Sequence, residues 1–311
     1  MVRVNPVLER LGFSGEERVV IFHADDVGMC QATTGAYVEL VEFGLLSSAA
    51  TMVPCPWFPA TAAYCRQFQN TGRIDMGVHL TLTSEWDTYR WGPISTTDPA
   101  SGLLDEEGYF YRLAAPVRAG GDAAAAGREM QRQIERALAT GIDVTHVDSH
   151  MFTIYHPKLL PVYLDLARQY RVPALMVRSE ERMLSMDAYD RETTAMMARL
   201  VEAAEAEGLP FVDDIFVMPL VFPVEDRLAY ARQVLAELRP GITCFIVHPA
   251  HDTAELRAMA PDWPSRVGDY QLFLAEAWRE AVRQSGVQVI GYRALRDLMR
   301  ESAQLALNSE R

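Results

Sequence analysis

The sequence predicts an α/β chain folded as one distorted (β/α) barrel, TIM-barrel-like, over residues 1–311. Three observations carry that prediction. Eight short runs rich in Val, Ile and Leu alternate with stretches of helical spacing. Most of the helical stretches stop at glycine or just before proline, where a chain turns back toward a sheet. Polar residues able to do chemistry gather at the carboxyl ends of the apolar runs, the face on which barrel enzymes keep their sites. A doubly wound open sheet is the rival. No Gly-x-Gly-x-x-Gly follows the first run, so a dinucleotide fold has little support.

The expected strands are 19–22, 49–53, 76–82, 144–150, 174–177, 215–218, 242–247 and 287–290. Most are rich in Val, Ile and Leu and four to eight residues long, as strands buried on both faces should be. The expected helices are 36–43, 123–139, 159–170, 191–207, 224–238, 270–284 and 294–307. Gly44, Gly141, Gly208, Pro240-Gly241 and Gly286 end five of them. One segment breaks the alternation. Residues 84–121 are too long for an ordinary connection and hold Trp86, Tyr89, Trp91, Tyr109, Phe110 and Tyr111. A loop of this kind either walls a binding site or staples itself to the barrel with its own aromatics. On the first reading Trp86 and Trp91 form part of the wall of the binding site.

Composition narrows the function classes. A net charge of −13 argues against nucleic acid or an anionic membrane as the main partner. No apolar run approaches the length of a membrane span, and residues 1–15 show no signal-peptide pattern. Cys30, Cys55, Cys65 and Cys244 have no CxxC spacing, which fits a reduced, cytoplasmic protein. The sequence leaves oligomeric state open, a homodimer included.

The chemistry starts where the first strand meets Asp25-Asp26-Val27-Gly28. Adjacent carboxylates repel, so the strand should end there, and a cation would relieve the repulsion. The third strand carries His79, with Thr81 and Thr83 on its face. In the fourth, period-two spacing puts His146, Asp148 and His150 on one side. Burying three such groups without partners costs several kcal/mol or more, so a metal or a catalytic network is expected. His248 closes the seventh strand before Pro249, and Arg178 closes the fifth. Arg178 is expected either to pair with a site aspartate or to lie on the surface. In a barrel these residues meet at one face. One carboxylate and two imidazoles there form a three-ligand set suited to Zn²⁺, Fe²⁺, Mn²⁺ or Co²⁺, and less commonly Mg²⁺.

Four motifs, in order, resemble those of the YdjC-like carbohydrate deacetylases: Ala24-Asp25-Asp26-Val27-Gly28, Gly77 to Thr83, Thr145 to His150, and Val247-His248-Pro249. The resemblance implies a distorted barrel that removes an acetyl group from an N-acetylated sugar. By position it makes Asp26, His79 and His150 the ligands of one divalent ion, Zn²⁺ or Mg²⁺ first. Asp25 becomes the general base and His248 the acid. His146, Asp148 and Arg178 are then outer partners of the ligands or substrate contacts. The chain departs from the family pattern at Val27, in Met151 to His156, at Ala250 and in its longer insertion, so the walls of the pocket differ.

Other readings remain open at this level. A different barrel reaction, such as sugar isomerisation or another amide hydrolysis, would use the same metal set. Lysine-based chemistry is disfavoured, because Lys158 is the only lysine and sits at a helix start. A metal- or sugar-binding protein without turnover would need neither Asp25 nor His248.

Overall fold

The computed structural model describes residues 4–68, 71–185, 190–221 and 223–309. Among them are seven strands: β1 (Arg18–Val27), β2 (Ser48–Thr51), β3 (Met76–Leu80), β4 (Val144–Ser149), β5 (Asp214–Val217), β6 (Gly241–Val247) and β7 (Gln288–Val289). All pair in parallel, in the order β4-β3-β2-β1-β6-β5, with β7 beside β1. Isolated bridges carry the path from β4 back to β5. Ala174 bridges Val147, and Val177 bridges Val212. The Leu175 N–H donates to Val147 O at 2.9 Å and the Arg178 N–H to Val212 O at 3.0 Å. The sheet therefore closes into a ring, the distorted barrel expected from the alternation.

Two expected strands come out differently. Segment 174–177 touches its neighbours only at its two ends and forms no ladder. Pro173, just before it, has no N–H to give. At the other place β7 is two residues long, because it shares one edge of β1 with β2. Val19 and Val20 pair with Gln288 and Val289, and from His23 onward that edge belongs to β2. The expected helix 270–284 is two helices, Trp263–Leu274 and Glu276–Ser285, broken at the extended Ala275.

The alternation along β1 separates two layers. Val20 and Phe22 face outward, where Phe22 meets Phe245, Phe273 and Trp278 edge to face. Val19 and Ile21 belong to the other cluster, and His23 and Asp25 continue on their side into the barrel. Segment 84–121 packs into that same cluster through Trp86, Trp91, Leu103, Phe110 and Val117. No helix of the described residues is long and apolar enough to cross a membrane.

Candidate metal and catalytic site

β1 does not stop at the first aspartate. It continues to Val27, but its pairing with β2 slips between Ala24 and Val27, and its pairing with β6 ends at Ala24. Asp26 lies in the left-handed region at φ 62°, and Gly28 follows at φ 90°. The pleat aims Asp25 inward, and the left-handed turn brings its neighbour Asp26 round to the same site. A Cβ at Gly28 would lie 2.8 Å from Thr51 Oγ1, so the turn needs glycine for space as well as conformation.

Asp26 Oδ1, His79 Nε2 and His150 Nδ1 form a triangle. Asp26 Oδ1 is 3.4 Å from His79 Nε2 and 3.2 Å from His150 Nδ1, and the two nitrogens are 3.3 Å apart. All three residues are buried. Asp26 Oδ1 is a buried oxygen with no hydrogen-bond partner among the described residues. Such edges are those of ligands about 2.0–2.2 Å from a common centre. Each imidazole is oriented from behind. His79 Nδ1 meets Asp148 Oδ1 at 2.7 Å, and His150 Nε2 meets Glu85 Oε2 at 2.9 Å. These are the carboxylate partners that metal-ligating histidines need. The residues present therefore fit a divalent ion.

The electrostatics agree. Burial alone would push both imidazoles down. Around His79, Asp148 and Asp25 reverse this and hold it well above its usual value. Around His150, Glu85 and Asp26 push it up to about 9. A negative field that draws protons onto two facing imidazoles draws a divalent cation in their place. Burial also opposes ionisation of Asp26, but Arg266, 2.7 Å away, with His150 and His79, holds its carboxyl well below the usual range.

Asp25 and His248 border the triangle. Asp25 Oδ2 is 3.9 Å from His79 Nε2 and 3.7 Å from His248 Nε2. The His248 backbone N–H donates to Asp269 Oδ2 at 2.9 Å, which fixes the end of β6. Burial holds the His248 imidazole below its ordinary value. After His150 the chain turns through two left-handed residues, Met151 at φ 51° and Phe152 at φ 49°. Backbone strain beside such a cluster is a frequent mark of a functional site.

The family model described as YdjC-like protein matches residues 19–284. The chain belongs to that family. Among curated relatives, the carbohydrate deacetylase of Thermus thermophilus is 34% identical over 85% of this chain and 89% of its own. That of Brevibacillus brevis is 32% identical over 89% and 99%. A crystal structure from Enterococcus faecalis V583, of a protein assigned to cellobiose-phosphate cleavage, superposes with a TM-score of 0.72. It is 23% identical over 90% of this chain and 99% of that one, a likeness of fold.

In this YdjC-like protein Asp25, Asp26, His79, His150 and His248 come together as the motifs require. Asp148 stands behind His79. His146 is deeper in the barrel, its ring stacked on Tyr292 and pressed against Gly77, where a Cβ would lie 2.4 Å from it.

Arg178 does not join the site. Its guanidinium grips Glu205 at 2.7 and 3.0 Å and lies 3.4 Å from Asp213, on a separate cavity of about 700 Å³. The stagger of the barrel puts the end of 174–177 beside the start of β5, away from the other strand ends. Trp86 and Trp91 are buried edge to face against each other, and Trp91 Nε1 donates to Thr83 O at 2.8 Å. Neither offers an open face to a sugar ring. Trp91 instead backs His150, with ring centroids 6.2 Å apart.

Four site residues escaped the sequence reading: His23, Glu85, Arg266 and Asp269. His23 was detectable, since period two puts it on the same side as Asp25. Glu85 sits in irregular chain. Arg266 and Asp269 precede the expected start of their helix, so no periodic signal marked them.

Proposed function

We propose that this YdjC-like protein is a metal-dependent carbohydrate deacetylase acting on the acetamide of an N-acetylated sugar. The observation that carries the reading is the Asp26–His79–His150 triangle with Asp25 and His248 on its border. The curated relatives named carbohydrate deacetylase support it. Those three residues would hold the ion. Zn²⁺ or Mg²⁺ is proposed first, with Mn²⁺, Fe²⁺ or Co²⁺ as substitutes. When bound, it supplies a Lewis acid for the carbonyl oxygen and acidifies a water.

The chain's own residues manage the proton. Asp25 takes it from the attacking water as the carbonyl carbon becomes tetrahedral. An amine leaves poorly as an anion, so nitrogen must be protonated before the C–N bond breaks. His248 is placed to do this. Its Nε2 lies 3.7 Å from Asp25 Oδ2, so acid and base are neighbours and not opposed across the site. The proton removed from water passes from Asp25 to His248 and on to the leaving nitrogen. Water and the acetamide become acetate and the free amine. Asp148 and Glu85 keep the His79 and His150 rings in place throughout.

The test is acetate release from a panel of N-acetylated sugars, with metal, with chelator, and with metal restored. Asp25→Asn and His248→Gln should keep the metal while turnover falls roughly 10²–10⁴-fold. Release that is indifferent to both substitutions would sink the reading. Isomerised sugar without acetate would favour the rival barrel reaction.

A further inference from the structure

His23 is fully buried on β1, two residues before Asp25 and on the same face. Its Nδ1 lies 3.2 Å from Ser48 Oγ, and the single Ser48 hydroxyl hydrogen goes to Asp75 Oδ1 at 3.1 Å. Ser48 can then only accept from His23, so Nδ1 carries a proton. On the other side Nε2 is 2.9 Å from Asp148 Oδ2 and 3.0 Å from Asp25 Oδ1. Ionised carboxylate oxygens only accept, so Nε2 carries a proton too. The ring is an imidazolium.

The same bookkeeping of hydrogens makes the neighbouring His146 neutral. The Thr145 hydroxyl gives its hydrogen to Asp75 at 2.6 Å, so His146 Nδ1 must donate to Thr145 Oγ1 at 3.0 Å. His146 Nε2 is left without a partner. Two buried histidines 5.0 Å apart thus carry different charges, set by which carboxylates they face.

The His23 Nε2–H points at Asp148, while Asp25 Oδ1 sits beside that nitrogen with no hydrogen bond of its own. What holds that side of Asp25 is the charge of His23. Asp25 Oδ2 is thereby left facing His79 and His248. We propose that His23 is a positioning residue: an imidazolium clamped between Ser48 and Asp148 that fixes the Asp25 carboxylate with one oxygen turned to the site. The proposal rests on the deacetylase reading, because that reading gives Asp25 its task. His23 itself is buried beneath Asp25 and touches no reacting atom.

The test is a double-mutant cycle of His23→Gln with Asp25→Asn. Glutamine keeps a donor and loses the charge. In the wild-type background kcat should fall roughly 10–100-fold, with KM and bound metal changed by no more than about twofold. In the Asp25→Asn background the same substitution should cost less than about threefold, because it acts through Asp25. An equal loss in both backgrounds, or a loss of metal, overturns the proposal. Should His23→Gln fail to fold, Ser48→Ala replaces it in the cycle, with a smaller loss and the same pattern expected. Absence of acetate release by the wild type would overturn the deacetylase reading instead. The cycle is then read by thermal unfolding. A drop in Tm on His23→Gln that is smaller in Asp25→Asn upholds the clamp, the remainder belonging to the Asp148 contact, and an equal drop in both refutes it.

Discussion

Asp26 adopts φ 62°, a left-handed conformation that costs an L-residue roughly 1–2 kcal/mol. Without it, period two would send Asp25 and Asp26 to opposite faces of β1. The strained backbone is what lets two consecutive carboxylates border one site, one in the Asp26–His79–His150 triangle and one beside it. A ligand set of three is badly weakened by losing one. His79→Ala and His150→Ala should therefore abolish most bound divalent metal, measured by elemental analysis after loading and desalting. His146→Ala should lower affinity by no more than about 10–100-fold, because it reaches the triangle only through its neighbours. An emptied site in His146→Ala with metal retained in His150→Ala would reassign the ligand on that strand. Five of these residues were legible in the sequence because strand period and strand end placed them together. Arg266 was not. Its partner Asp26 is 240 positions away, and a lone arginine on a helix carries no mark of that pairing.

At the scale of elements, segment 84–121 behaves as a staple more than as a wall. Trp86, Tyr89 and Trp91 pack on one another, and the Tyr89 hydroxyl donates to Met29 O at 2.8 Å, tying the loop to the turn after β1. Trp91→Ala should lower stability by about 3–5 kcal/mol, as other large buried aromatics do, and loosen His150 behind it. Chemical denaturation checks the first effect. An unchanged midpoint with weaker substrate binding would restore the wall. Helix Trp263–Leu274 supplies a second element-scale prediction. Burial pushes the Asp269 carboxyl up to about 7, outweighing Arg227 3.3 Å away and Arg266, while Asp262 at the N-cap of that helix adds to the rise. The folded state then binds a proton that the unfolded chain, with an ordinary carboxyl near 3.9, releases. Stability should fall by a few kcal/mol as pH rises from about 4 to about 7. Asp269→Asn should remove that slope while keeping an acceptor for the His248 N–H. An Asn variant with the wild-type slope would place the titration elsewhere.

For the whole molecule, the barrel has a strong side and a weak one. β1 and β6 pair through seven consecutive residues, whereas β4 reaches β5 only through the bridges at Ala174 and Val177. Amide exchange should therefore be faster at Leu175 and Arg178 than at Ile21 and Cys244, as local opening favours the segment with fewest ladder bonds. Equal protection by hydrogen-exchange mass spectrometry would mean that the ring opens only as a unit. The sequence by itself determined the α/β alternation and the gathering of polar groups at the strand ends, because these follow from local periodicity and from chemistry that an apolar core cannot hold; which three of those groups form the triangle came from the likeness of the four motifs to the family. It also carried the C-terminal ends of most of the helices it predicted, since glycine and proline act locally, but not the short helices such as Phe58–Gln67 and Ala254–Met259. Only the tertiary structure decided that 174–177 would not form a ladder, that β7 would give way to β2 along β1, and that Arg178 would turn from the site while Arg266 joined it. Each of these depends on which distant segment competes for the same edge or the same carboxylate, and no window of neighbouring residues contains that information.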